Sequence, residues 1–86
     1  MVPRIQFTAH ALARMSERGV SREQVLAVVT TPLRVLPAKG EREEIQGLIE
    51  RVGRPMLLRV VLERGVVVTI ITVIATSKIN KYGAST

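Results

Sequence analysis

His10, Arg14 and Arg18 stand four residues apart in the stretch His10-Ala-Leu-Ala-Arg14-Met-Ser-Glu-Arg18. On an α-helix, positions i, i+4 and i+8 fall along one stripe. A stripe of two guanidinium groups and an imidazole suits a polyanion, with His10 as a candidate general base. The plain alternative is a solvated helix face on which Glu17 pairs with Arg14.

A second group closes the sequence: Thr76-Ser77-Lys78, then Lys81-Tyr82. Two hydroxyls at the start of a helical turn, with free backbone N–H groups and two ammonium ions, fit a phosphate. Tyr82 offers a ring for stacking on a base or a hydroxyl for moving a proton. Its alternative is a polar tail whose ring rests on the sheet. Arg59 is the third candidate, because it interrupts an apolar run, Met56 to Leu62. It pairs with a glutamate, snorkels past the sheet edge, or binds an anion. Pairing is the expectation for an arginine in such a place.

The rest of the composition removes whole classes of chemistry. There is no cysteine and no aspartate, and His10 is the single histidine. Disulfides, thiolate metal sites and a cysteine nucleophile are out, and so is a Ser-His-Asp triad. Neither a metal nor a cofactor is expected. The net charge of +6 attracts nucleic acid, an acidic protein or an anionic surface. The N-terminal residues lack the apolar run of a signal peptide. The longest uncharged stretch, residues 65–77, falls short of the about 20 apolar residues that span a bilayer. A cytoplasmic protein with no membrane partner is expected.

These residues need elements to position them, and 86 residues, 47% of them hydrophobic, supply one domain, 1–86, with one aliphatic core. Residues 4–7 read as a short first strand. Thr8 caps a helix that Gly19 closes. Ser21 caps a second helix with Gln24 at the capping-box position, and Thr31-Pro32 ends it. Strands follow over residues 43–52 and 56–63, the first weakened by Gly47, with a turn at Gly53-Arg54-Pro55. A two-residue hairpin at Arg64-Gly65 leads to the β-branched run Val66 to Ile74, the pattern of an interior strand. Residues 76–83 read as a single helical turn. The expected fold is α+β, with two helices packed on one face of a three- to four-stranded, mostly antiparallel sheet.

Strict alternation through the Arg64-Gly65 hairpin assigns the faces. Met56, Leu58, Val60 and Leu62 with Val67, Thr69, Ile71 and Val73 receive the helices. Leu57, Arg59, Val61 and Glu63 beside Val66, Val68, Ile70 and Thr72 lie opposite. That second face is largely apolar and has little chain left to cover it. Self-association or a protein partner is expected there.

The strings His10-Ala-x-x-Arg14-Met15-x-x-Arg18-Gly19-Val20-Ser21 and Val73-x-x-Thr76-Ser77-Lys78-x-x-Lys81-Tyr82 resemble a widespread bacterial family of small domains of unknown function. Its members open with H-A-x-x-R-M-x-x-R-G-I-S and end with V-T-V-Y-x-T-S-K-x-x-K-Y. This sequence departs at Ile74, where the family often has an aromatic residue. The element order also resembles, more remotely, RelE/ParE-type and BrnT-type toxins of toxin–antitoxin pairs. That resemblance implies an RNA-binding domain and a metal-independent endoribonuclease. The 2′-hydroxyl would attack the adjacent phosphate, with His10 or Tyr82 as base and Arg59, Lys78 or Lys81 stabilising the charge. It also implies an antitoxin protein as partner. The alternative is a non-catalytic module that binds a protein or a second copy. His10 points away from the sheet-packing side of its helix, which separates it from Arg59.

Overall fold

The structure is a computed structural model that describes residues 4–78. Strand β1 (Ile5–Phe7) leads into helix α1 (Ala9–Arg18), and helix α2 (Arg22–Thr30) follows. Strands β2 (Arg34–Pro37), β3 (Arg42–Arg51), β4 (Arg54–Glu63) and β5 (Val68–Thr76) complete the order. They form one sheet in the order β1-β5-β4-β3-β2. β1 runs parallel to β5 and every other pairing is antiparallel. The two-helix, α+β expectation holds, with five strands rather than three or four.

Local chemistry sets the helix ends. Thr8 accepts from the Ala11 N–H, and Gly19, at φ 67°, closes α1 by donating to the Met15 and Ser16 carbonyls. Ser21 and Gln24 form the reciprocal capping box of α2. The described β2 has no counterpart in the sequence expectation. It pairs only with Glu43–Gln46 of β3, so among the described residues 47–51 form a free edge.

The core lies between the helices and one face of the sheet. Ala11 and Met15 of α1 and Val25 and Val28 of α2 pack on Ile45, Leu58, Val60, Leu62, Val68, Ile70 and Val73. Gly47 sits under α2, where an added Cβ would stand 2.9 Å from Val28 Cγ2. The missing side chain that weakens β3 locally is what lets α2 lie close.

The face assignment is corrected in β5. Leu62 pairs with Ile70 while Val61 pairs with Thr72, so Ile71 is an extra residue, a β-bulge. A bulge shifts the alternation by one. Val68 and Ile70, expected opposite the helices, therefore enter the core, and Thr69 leaves it. Leu57 and Val61 do lie opposite, yet Leu57 is buried and Val61 half-buried. That face is thus less apolar and less bare than alternation alone implies. The connection is also longer than two residues, since β4 ends at Glu63 and β5 starts at Val68.

Among the described residues no helix is long and apolar enough to cross a membrane, and no group of three potential ligands is placed to hold a metal ion.

Candidate nucleic-acid interface

Pairing with glutamate sorts the cations. Arg42 lies 4.0 Å from Glu63, and Arg64 lies 2.6 Å from Glu43. Both pairs sit where β3 begins and β4 ends, and both are exposed. Arg59 projects from the face opposite the helices, level with Gln46 on β3. Its Nε donates to Glu44 Oε2 at 2.8 Å and its Nη2 to Glu44 Oε1 at 3.0 Å. Gln46, 1% exposed, donates its Nε2 to the same carboxylate at 2.6 Å, and its Oε1 accepts nothing among the described residues. The bonds from Arg59 hold the Glu44 carboxyl below its ordinary value of 4.5; burial works against them and the Gln46 amide with them. The expected Arg59–glutamate pair is therefore present, and Arg59 serves the fold through it.

The other end of the β3–β4 hairpin is different. Val52 and Gly53 both have positive φ, 51° and 74°, the signature of a two-residue I′ turn. The turn sits one residue earlier than Gly53-Arg54-Pro55, and Arg54 and Pro55 belong to β4. This change of register places Arg51 and Arg54 directly opposite each other. Ser77, just beyond β5, joins them in a cleft of about 410 Å³ with Val52, Pro55 and Met56. Lys78 follows Ser77 and is exposed. A second cleft, of about 360 Å³ between α2 and β3, has no cation in its lining and includes Glu50. Of these two, the first has the cations that an anion requires.

Arg51 also ties the cleft to the helices. Its Nη1 donates to the Arg18 carbonyl, and the guanidinium rests over Gly19, where an added Cβ would stand 3.0 Å from Nη2. A guanidinium on a helix C-terminal carbonyl is well placed electrostatically. Arg51 thus touches Arg18-Gly19 of the opening string and shares its cleft with Ser77 of the closing string.

His10, Arg14 and Arg18 lie on α1, on the helix side of the sheet. The stripe covers about 12 Å at the rise of an α-helix and ends beside Arg51. His10 and Arg18 are exposed. Arg14 makes the weak, exposed pair with Glu17, at 3.5 Å, that the solvated-face reading expects. Arg59 projects from the other face, so the structure does not bring His10 and Arg59 together. Thr76 is the last residue of β5, and its Oγ1 accepts the Lys78 N–H at 3.1 Å. Its side chain is level with Leu57, opposite the cleft. The helical turn expected over residues 76–83 does not begin at Thr76, which is strand, and the rest of it after Lys78, with Lys81 and Tyr82, falls outside the described residues.

Arg51 and Arg54 are the site residues that sequence reasoning missed. Their signal was Val52-Gly53 between two ten-residue strands, disguised because a valine seldom takes positive φ.

The family model described as Domain of unknown function (DUF4258) matches residues 7–81. No curated protein and no solved structure matches the chain.

Proposed function

The chain belongs to the DUF4258 family, a description that assigns no activity, and we propose from its geometry that it is an RNA-binding domain. The observation that carries this reading is the segregation of charge: Arg51, Arg54 and Ser77 share one cleft, Arg51 is anchored on Arg18, and among the described residues no glutamate lines the cleft. From that cleft the Arg18, Arg14, His10 stripe offers a track for a phosphodiester backbone. Thr76, Lys78, Lys81 and Tyr82 remain the proposed contributors from the closing string. Thr76 orders the backbone at Lys78 instead of contacting phosphate.

Binding is what the placement of the described residues supports, and cleavage by His10 with Arg59 is not. Attack of a 2′-hydroxyl on its phosphate needs a base and a charge stabiliser at one point. His10 and Arg59 are on opposite faces, and Arg59 is committed to Glu44. A toxin-like role stays within the proposal through the order of elements alone.

The test is a titration with labelled single-stranded RNA at several salt concentrations. Arg51→Ala with Arg54→Ala should weaken binding and flatten its salt dependence, by about 0.7 in slope for each phosphate no longer neutralised. Lys78→Ala with Lys81→Ala should act in the same direction. An unchanged titration in the double arginine variant would refute the site.

A second reading is favoured by the free edge of β3. Leu33 N–H donates to the Gln46 carbonyl across the β2 edge. Residues two apart point their backbone groups the same way, so Leu48 and Glu50 direct theirs outward, where β2 does not reach. Such an edge can pair with a strand of a partner protein, an antitoxin or a second copy. Leu48→Pro should then abolish the association, read by light scattering, and leave RNA affinity unchanged.

A further inference from the structure

Two guanidinium groups and a hydroxyl are only part of the cleft at the β3–β4 turn. Among the described residues the rest of its lining is Val52, Pro55 and Met56. A bare phosphate has no use for an apolar wall, and an apolar ligand has no use for Arg51 and Arg54. The ligand that uses both is anionic at one end and flat and apolar at the other. A volume of about 410 Å³ is on the scale of a small-molecule site, about 300–1,000 Å³.

We infer that this cleft receives one nucleotide of a single RNA strand, with its phosphate at Arg51, Arg54 and Ser77 and its base against Val52, Pro55 and Met56. The inference rests on the RNA-binding reading and adds what that reading lacks, a choice among nucleic acids. A base in a duplex is stacked and paired, so it reaches such a wall only after leaving the stack. A base in a single strand is free to turn into it. The exposure of Val52 agrees. At 95% exposed and φ 51°, it is a β-branched residue holding a left-handed conformation with no core packing in return. Arg51 is pre-positioned by the Arg18 carbonyl, so the phosphate end of the cleft is formed before the ligand arrives.

The experiment compares four labelled ligands of equal length in one anisotropy titration: a mixed-sequence RNA strand, an abasic strand with the same backbone charge, an RNA duplex and poly-glutamate. The mixed strand should bind about tenfold more tightly than the abasic one, a ratio worth about 1.4 kcal/mol, and more tightly than the duplex. Met56→Ser should erase the preference over the abasic strand without altering the salt slope. Val52→Asn should reduce it too. That second variant relieves the positive φ, so a lost preference there is not lost folding. Equal binding of mixed and abasic strands, or of strand and duplex, would overturn the nucleotide cleft and leave backbone binding standing. Poly-glutamate binding as tightly as RNA would assign the cleft to an acidic protein and overturn it. Failure of every nucleic acid to bind at low salt would overturn the RNA-binding reading and this inference together.

Discussion

The β3–β4 hairpin has two ends, and they use arginine in opposite ways. Where β3 begins and β4 ends, Arg42, Arg59 and Arg64 each meet a glutamate of the neighbouring strand. At the turn, Arg51 and Arg54 face each other with the Val52-Gly53 tip between them, and Arg51 bonds a carbonyl instead of a carboxylate. The net charge of +6 is therefore no uniform coat. One end of the hairpin is close to neutral and gives its cations to the fold. The other presents them to solvent. What separates a paired arginine from one left to solvent is whether the neighbouring strand brings a glutamate within reach, which local composition does not reveal.

The largest effect that would break this contrast is at the paired end. Glu44→Leu leaves the Arg59 guanidinium and the Gln46 amide without their shared acceptor, in a pair whose side chains are 20% and 14% exposed. A loss of about 2–3 kcal/mol in urea unfolding is expected, less than for a fully buried pair because some solvent reaches both groups. RNA affinity should hold. The same pair sets a pH dependence. The folded Glu44 carboxyl titrates below its ordinary value of 4.5, so the stability it contributes is complete above that value. It is lost as pH falls through the lower folded one. The wild type should lose stability over that acid range more steeply than Glu44→Leu.

Gly47→Ala tests the middle of β3. Its Cβ would meet the stiff, branched Val28 at 2.9 Å, and overpacking of this kind costs about 1–3 kcal/mol. Combining it with Val28→Ala should recover part of the loss, as a favourable coupling in a double-mutant cycle. At the turn, Val52→Asn should raise stability by about 1 kcal/mol, because asparagine tolerates the left-handed region and valine does not. Under the proposed function, the turn end is where stability and binding should part company: Val52→Asn should give a more stable chain that discriminates less among strands. The smallest effect belongs to Glu63→Gln. Its partner Arg42 is 4.0 Å away and exposed, so less than about 0.5 kcal/mol should be lost. A larger loss would mean that the neutral end is held by its surface charges rather than by the half-buried Arg59–Glu44 pair.

Much of the scaffold was legible in the sequence because it is locally encoded. Thr8, Gly19 and the Ser21–Gln24 box are chemical instructions that act within four residues, and the β-branched run needs only its own composition. What escaped depends on partners farther along the chain. The four residues of β2 have no alternation and become a strand through their pairing with Glu43–Gln46. The Ile71 bulge is fixed by how β4 and β5 fit together, and one extra residue exchanged the faces of Val68 and Ile70. For the site, Arg18, Ser77 and Lys78 were visible by type and motif. Arg51 and Arg54 were not, because their pairing hangs on a valine in an unfavoured turn position. The expectation that Arg59 pairs was sound, and the partner, Glu44, emerged only from the register of β3 on β4.

The parallel pairing of β1 with β5 has a consequence in time. Thr8 Oγ1 bonds the Ile71 carbonyl across 63 residues of sequence, and Gln6 bonds Thr69 across the same span. At roughly 5–20 residues per second, a ribosome takes about 3–13 s to make that much chain. For that interval α1 has no β5 to lie on and β1 has no neighbour, however well their caps are written. Helix–coil exchange is over in about a microsecond, so the capped helices form and dissolve many times before β5 exists. Until β5 has emerged, the apolar side of α1 that packs on it stays uncovered.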